Sequence, residues 1–222
     1  MKSIIIGICF LLNAGTIQAQ RTKMFSLSPM TKETVKVNGM VLGVGHFQES
    51  PYTQVVNGLN VDLFILSPFA VLHGLNGDGP RETQMLDNYS REEPTKLVSN
   101  GVNLALGGYY GGTVHNGLSI AMYNLGKSVN GVSINVAYNS VKQLNGLHIS
   151  GIGNFSYQSQ GANIGLYNNN IAMSGLQLGI VNKSEKFTGV QLGIYNKTNA
   201  LSGLQLGFFN KNAKRTLPFI NF

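Results

Sequence analysis

Gly175-Leu176-Gln177-Leu178-Gly179-Ile180-Val181-Asn182 is followed at a fixed interval by two near-copies, Gly189 to Asn196 and Gly203 to Asn210. The step is 14 residues each time. Working back towards the N-terminus, degraded copies open at Gly161, Gly146, Gly131 and Gly117, in steps of 14 or 15, and outlying copies at Gly101, Gly58 and Gly39. A period this short describes one small unit stacked on itself rather than a string of domains. Within each unit Leu176, Leu178 and Ile180 alternate with Gln177, Gly179 and Val181. That is strand periodicity. Gly and Asn at the unit boundaries tolerate the backbone conformations of sharp corners. A further apolar residue recurs two places before the glycine: Val129, Leu144, Met173, Phe187 and Leu201.

The fold class is therefore all-β, with about ten 14-residue units, and the favoured architecture is a parallel β-solenoid with one coil per unit. In this reading Leu, Leu and Ile or Phe point inward, and the asparagines form ladders at a corner that satisfy backbone groups left open by the turn. The alternative is an antiparallel outer-membrane β-barrel, with the leucines facing lipid. Against it, the regular apolar face is three residues tall, about 20 Å across, short of the ~25 Å band of such barrels. Identical tight turns also return each strand to one register, whereas barrel closure needs accumulated stagger.

The rest of the 222-residue chain is organised around this array. Lys2, the apolar run Ser3 to Leu12 and the small residue Ala19 occur in signal-peptide order, so residues 1–20 are expected to direct export. Residues 21–34 read as a flexible lead-in, 35–72 as divergent N-terminal repeats and 73–98 as an acidic inserted loop. The β-repeat domain then runs over 99–210, and 211–222 form a C-terminal cap in which Phe219, Ile220 and Phe222 would cover the open end of the stack. Cys9, the only cysteine, lies in the apolar run, which leaves no disulfide or cysteine–metal site in an exported chain.

Charge is sparse, with a net of +7. Beyond Asn100 eight basic residues stand against the single acid Glu185. The basic residues read as solubilising turn lysines. Nucleic acid is not an expected partner, because aromatic and basic residues do not interleave. Envelope glycans, lipopolysaccharide or another surface protein fit an exported cationic chain better.

Signs of enzymatic chemistry are few. His46, His73, His115 and His148 have no ligand-like spacing, and no Gly-x-Ser-x-Gly elbow, P-loop or His-Glu-x-x-His motif occurs. Asp78, Glu82 and Asp87 supply hard oxygen atoms, but at spacings that match a solvated loop better than a Ca²⁺ cage. No catalytic, metal or cofactor residues are assigned, and no cofactor is expected. The one unusual surface is a small, neutral face built from Gln177, Gly179, Gln191, Gly193, Gln205 and Gly207, a candidate interface for a second sheet or a glycan.

The repeats from Gly161 to Asn210, the Asn-Gly units upstream, the export signal and the closing Leu217-Pro218-Phe219-Ile220-Asn221-Phe222 resemble a family of exported bacterial surface-repeat proteins. The resemblance covers most of the chain after residue 20 and is specific in the last three repeats. It implies an envelope or surface location and no enzymatic activity, and it supplies no functional residues. A weaker similarity to the head domains of trimeric adhesins concerns the stacking of short β repeats alone. The expectation is a non-enzymatic envelope or surface repeat protein with a structural or binding role, located at the outer membrane, the cell surface or in the periplasm. A small barrel acting as pore or anchor is the alternative.

Overall fold

A computed structural model describes residues 22–28, 30, 36–44, 52–63, 94–109 and 111–222. The expected signal peptide, most of the acidic loop, His46, His73 and the carboxylates Asp78, Glu82 and Asp87 lie outside the described residues.

The strands are β1 (Thr22–Ser28), β2 (Lys36–Gly43), β3 (Gln54–Asp62), β4 (Leu97–Ala105), β5 (Thr113–Ser150), β6 (Gly153–Ile164), β7 (Tyr167–Leu178), β8 (Val181–Leu192), β9 (Tyr195–Lys211) and β10 (Thr216–Asn221). They follow one another in chain order across one ladder. Every pairing from β1 to β9 is parallel. Only β10 runs antiparallel, against β9. The chain is a parallel β-solenoid, and an antiparallel meander is ruled out by the pairing itself.

Register follows the repeat. Gly146, Gly161, Gly175, Gly189 and Gly203 stand in one column, each paired with its equivalent one coil on. The register also survives the long excursion before Leu97: Gln54 pairs with Leu97 and Gly58 with Gly101 without a shift. The described strands on either side of residues 64–93 thus stack without a shift.

Three expectations need correction. The flexible lead-in 21–34 contains β1, which pairs with β2 through six residues and shifts register between Lys23 and Phe25. The insertion ends before 98, because Leu97 and Val98 already belong to β4. The largest correction concerns which side of the strand faces in. Gln177, Gln191 and Gln205 are completely buried, as are Asn182, Asn196 and Asn210, while Leu178 is 40% exposed and Ile180 48%.

The reason is visible in the hydrogen bonds. Each narrow coil turns back on itself and leaves carbonyl oxygens aimed inward. Asn168 Nδ2 donates to the Leu178 carbonyl at 3.0 Å, Asn182 to Leu192 at 2.8 Å and Asn196 to Leu206 at 2.9 Å. Gln205 Nε2 reaches the Lys211 carbonyl at 3.2 Å. The Leu178, Leu192 and Leu206 carbonyls also accept from the backbone N–H of Gly165, Gly179 and Gly193 at 3.0 Å, so each asparagine amide fills a second lone pair and links one coil to the next, which an apolar side chain cannot do. Period-two alternation then sends Leu176 and Leu178 outward once Gln177 points in. The apolar residues two places before the glycine do face inward: Val129, Leu144, Met173 and Phe187 are all buried.

The C-terminal cap is also built differently from expectation. Phe219 and Phe222 are 70% and 71% exposed, so neither plugs the interior. Asn221 does so instead. It is fully buried, and its Nδ2 donates to Gln205 Oε1 at 2.8 Å, ending the glutamine column. Arg215 holds it in place, with Nε donating to Asn221 Oδ1 at 2.9 Å and a terminal nitrogen to the Phe222 carbonyl at 2.8 Å.

Candidate binding surface

The interior consists of side-chain ladders running along the stack. Asn124, Asn139, Asn154, Asn168, Asn182, Asn196 and Asn210 form an unbroken chain, each amide donating to the next at 2.8–3.0 Å. Gln191 donates to Gln177 at 2.5 Å and Gln205 to Gln191 at 2.7 Å. A second asparagine ladder, half-buried rather than interior, occupies the position before each glycine in the N-terminal coils. It runs from Asn145 through Asn130, Asn116, Asn100 and Asn57 to Asn38, with every step 2.7 Å. Primary amides suit this role because each carries a donor and an acceptor on the same planar group. The asparagines at corners were legible in the sequence. The earlier ladder was signalled by the repeated Asn-Gly pairs, whose asparagine side chains the sequence reading left without a partner.

Gly179, Gly193 and Gly207 serve these ladders and are not an open surface. A β-carbon on Gly193 would press on the amides of Asn182 and Asn196. This explains the Gly-x-x-Asn spacing: the glycine leaves room for the asparagine ladder. The six residues expected to form an interface, Gln177, Gly179, Gln191, Gly193, Gln205 and Gly207, therefore line the interior and its bend, with the three glutamines wholly shielded from solvent. An interface through the glutamines is ruled out.

Removing one rung has a calculable effect. Asn196→Ala removes the Asn196 amide from Asn210 Oδ1 and takes one of two donors from the Leu206 carbonyl, which keeps the Gly193 N–H at 3.0 Å. One orphaned buried acceptor corresponds to a loss of about 1–3 kcal/mol. Urea unfolding of the variant measures it, and a loss within 0.5 kcal/mol of zero, roughly the scale of surface substitutions, would show that the ladder is not structural.

One side of the coil presents apolar residues outward. Three columns project from the repeat: one after the boundary glycine (Leu147, Leu176, Leu204), one two residues further (Leu104, Ile120, Ile134, Leu178) and one just past the bend (Leu166, Ile180, Ile194, Phe208). The described residues in all three columns include no charge and no polar side chain. In the last column Leu166, Ile180, Ile194 and Phe208 are all about half exposed or more, and Phe208, at 62%, packs against Phe219 at 6.3 Å between ring centroids. A shallow apolar groove of about 500 Å³ runs between the second and third columns, bounded by Ile164, Leu166, Leu178, Ile180, Leu192 and Ile194. It continues towards the cap past Gly207, Phe208 and Phe219. Lys183 and Lys197 pair in register beyond the bend, and Lys183 sits 5.4 Å over the Tyr167 ring.

The two described histidines are interior residues. His148 occupies the glutamine column and its Nδ1 bonds the Ser133 hydroxyl at 2.8 Å. His115 occupies the inward apolar column beside Tyr109, 5.3 Å between ring centroids, and its ring nitrogens have no hydrogen-bond partner among the described residues. Burial lowers both from the usual 6.5 to about 4, an effect the nearby backbone carbonyls offset only in part. Neutral, enclosed imidazoles of this kind belong to the packing. Among the described residues no group of three or more His, Cys, Asp or Glu could hold a metal ion.

Comparison with family models, with curated proteins and with solved structures returns no match to this chain.

Proposed function

We propose that this chain is a non-enzymatic repeat protein of the cell envelope or surface, with a structural or binding role carried by its apolar outer face. The observation behind this reading is the inversion of the coil: amides inside, leucine and isoleucine outside. A typical monomer's largest exposed apolar patch is about 300–600 Å². Nine steps between the ten stacked glycines from Gly39 to Gly203, at ~4.8 Å each, give a face roughly 43 Å tall and 20 Å wide, on the order of 900 Å². Apolar surface on that scale is maintained for contact with something. The export pattern at Lys2, Ser3 to Leu12 and Ala19 supports an envelope destination for it.

Cell fractionation combined with amine labelling of intact cells tests the reading, since Lys183 and Lys197 lie away from the apolar columns. The expected result is recovery in the envelope fraction, with lysine labelling of unbroken cells if the protein is on the outer surface. Recovery in the cytosol would overturn the proposal.

A further inference from the structure

The apolar face has a specific occupant, and the repeat itself identifies it. We infer that the face binds a second copy of this chain, sheet against sheet, so that the protein works as a face-to-face dimer. The inference rests on the reading of that face as a contact surface.

Three observations converge. The first is spacing. The groove between the second and third columns is bounded by side chains that recur once per coil, at Leu178, Leu192 and again at Ile180, Ile194. A ridge that fills it without gaps must recur at the same interval. The Ile120 and Leu178 column of another copy does so. With the two stacks related by a twofold axis parallel to the stack, each copy's ridge enters the other's groove. The contact is then self-complementary, as a twofold interface must be. Packed sheets of this kind sit about 10 Å apart with interdigitating side chains.

The second observation is area. A stable dimer of standard size covers about 800 Å² on each partner. The face estimated above, counted with the column at the bend, is of that order.

The third is what the rest of the molecule presents. The stack does not offer a clean end for growth at its C-terminal edge. There β10 contains Pro218, which lacks an N–H, and shifts register between Leu217 and Phe219. Phe219 holds a φ of 65° at that point. The stacked lysines Lys183 and Lys197 lie around the bend from the first two columns, so facing copies leave them in water. An array with blocked axial growth, a cationic flank and one uncharged face has a lateral contact as its outlet.

Salt gives the pairing a signature. Both copies are cationic, so their repulsion is screened as salt rises while the apolar contact strengthens. Dimerisation should tighten with salt, whereas attachment to anionic lipid would weaken.

Sedimentation of the full chain across micromolar concentrations, without detergent, is the test. The expected result is a reversible dimer favoured by salt. Ile120→Lys combined with Leu178→Lys should weaken it roughly a hundredfold or more, because both positions lie mid-face. Their exposure in the single chain (42% and 40%) predicts an unchanged β spectrum. Lys183→Ala with Lys197→Ala should leave the dimer intact. If the face variant fails to fold, thiol crosslinking in a Cys9→Ser background decides the matter. Leu178→Cys should give a covalent dimer under a short bifunctional reagent, and Lys197→Cys should give none. A chain that stays monomeric at every concentration overturns the inference. So does a dimer unaffected by the face variant, or a chain that associates only with vesicles of anionic lipid. A surface-located monomer would sink the pairing and leave the proposed function standing; a cytosolic dimer would do the reverse.

Discussion

Gly189→Ala is expected to destabilise the stack by roughly 4 kcal/mol or more, enough to unfold the C-terminal coils of a domain of ordinary stability. Gly189 has a φ of 125°, where an L side chain is strained. Worse, its new β-carbon would collide with the carbonyl oxygen of Gly175 on the coil before it. That obstacle is backbone, so no rotamer change relieves it. Gly175 and Gly203 stand in the same column with the same conformation, so relaxing one coil displaces its neighbours. Thr188→Ala, next in the chain but solvent-facing, is the control and should cost no more than about 0.5 kcal/mol. Urea unfolding followed by circular dichroism reads both variants. A midpoint for Gly189→Ala close to that of the control would mean the column is not under steric constraint.

Acidification should produce the second large effect. His115 and His148 are neutral and enclosed in the folded chain, with pKa values held at about 4 against 6.5 when unfolded. Because the folded values are depressed, the unfolded chain takes up protons first as pH falls below 6.5. Folding stability is complete above that pH, declines between 6.5 and 4, and loses nothing further from these groups below 4. The loss by pH 4 is about 3 kcal/mol for each histidine. Thermal melts at neutral pH and at pH near 4 measure it. His148→Gln installs the residue used at Gln177, Gln191 and Gln205 in the same column, and His115→Val installs the residue used at Val129. The double variant should melt at nearly the same temperature across that window. Retention of the full acid sensitivity in the double variant would assign it to other groups.

Both predictions depend on features read with very different ease. The glycine column was plain in the sequence, because Gly175, Gly189 and Gly203 recur where nothing else does and a corner needs a residue without a β-carbon. The corner asparagines were legible for the same reason. Strand character followed from a 14-residue period that leaves no room for a helix, and parallel stacking was the favoured of the two arrangements which that period allowed. The histidines were harder. His148 could be placed on the same strand face as Gln177, but whether that face met water or the interior was not written in the alternation.

That ambiguity marks the boundary between what the sequence alone determined and what only the tertiary structure decided. A period of two assigns Leu176 and Leu178 to one side and Gln177 to the other; it is symmetric with respect to inside and outside. Ordinarily hydrophobicity breaks the symmetry by sending leucine in. Here the interior is narrow, and the amides of Asn182 and Asn196 each bond the next rung of their ladder as well as a corner carbonyl that already holds a backbone N–H. Continuous amide ladders took the interior in place of the leucines, whose exposed face a neighbour can still cover. The same closure of the coil settled the end of the chain: Asn221, not the adjacent aromatics, completes the glutamine ladder. Local pattern thus determined the unit and its repetition. Which face became the interior depended on which side chains could bond their equivalents one coil away, and that geometry exists only once the coil has closed.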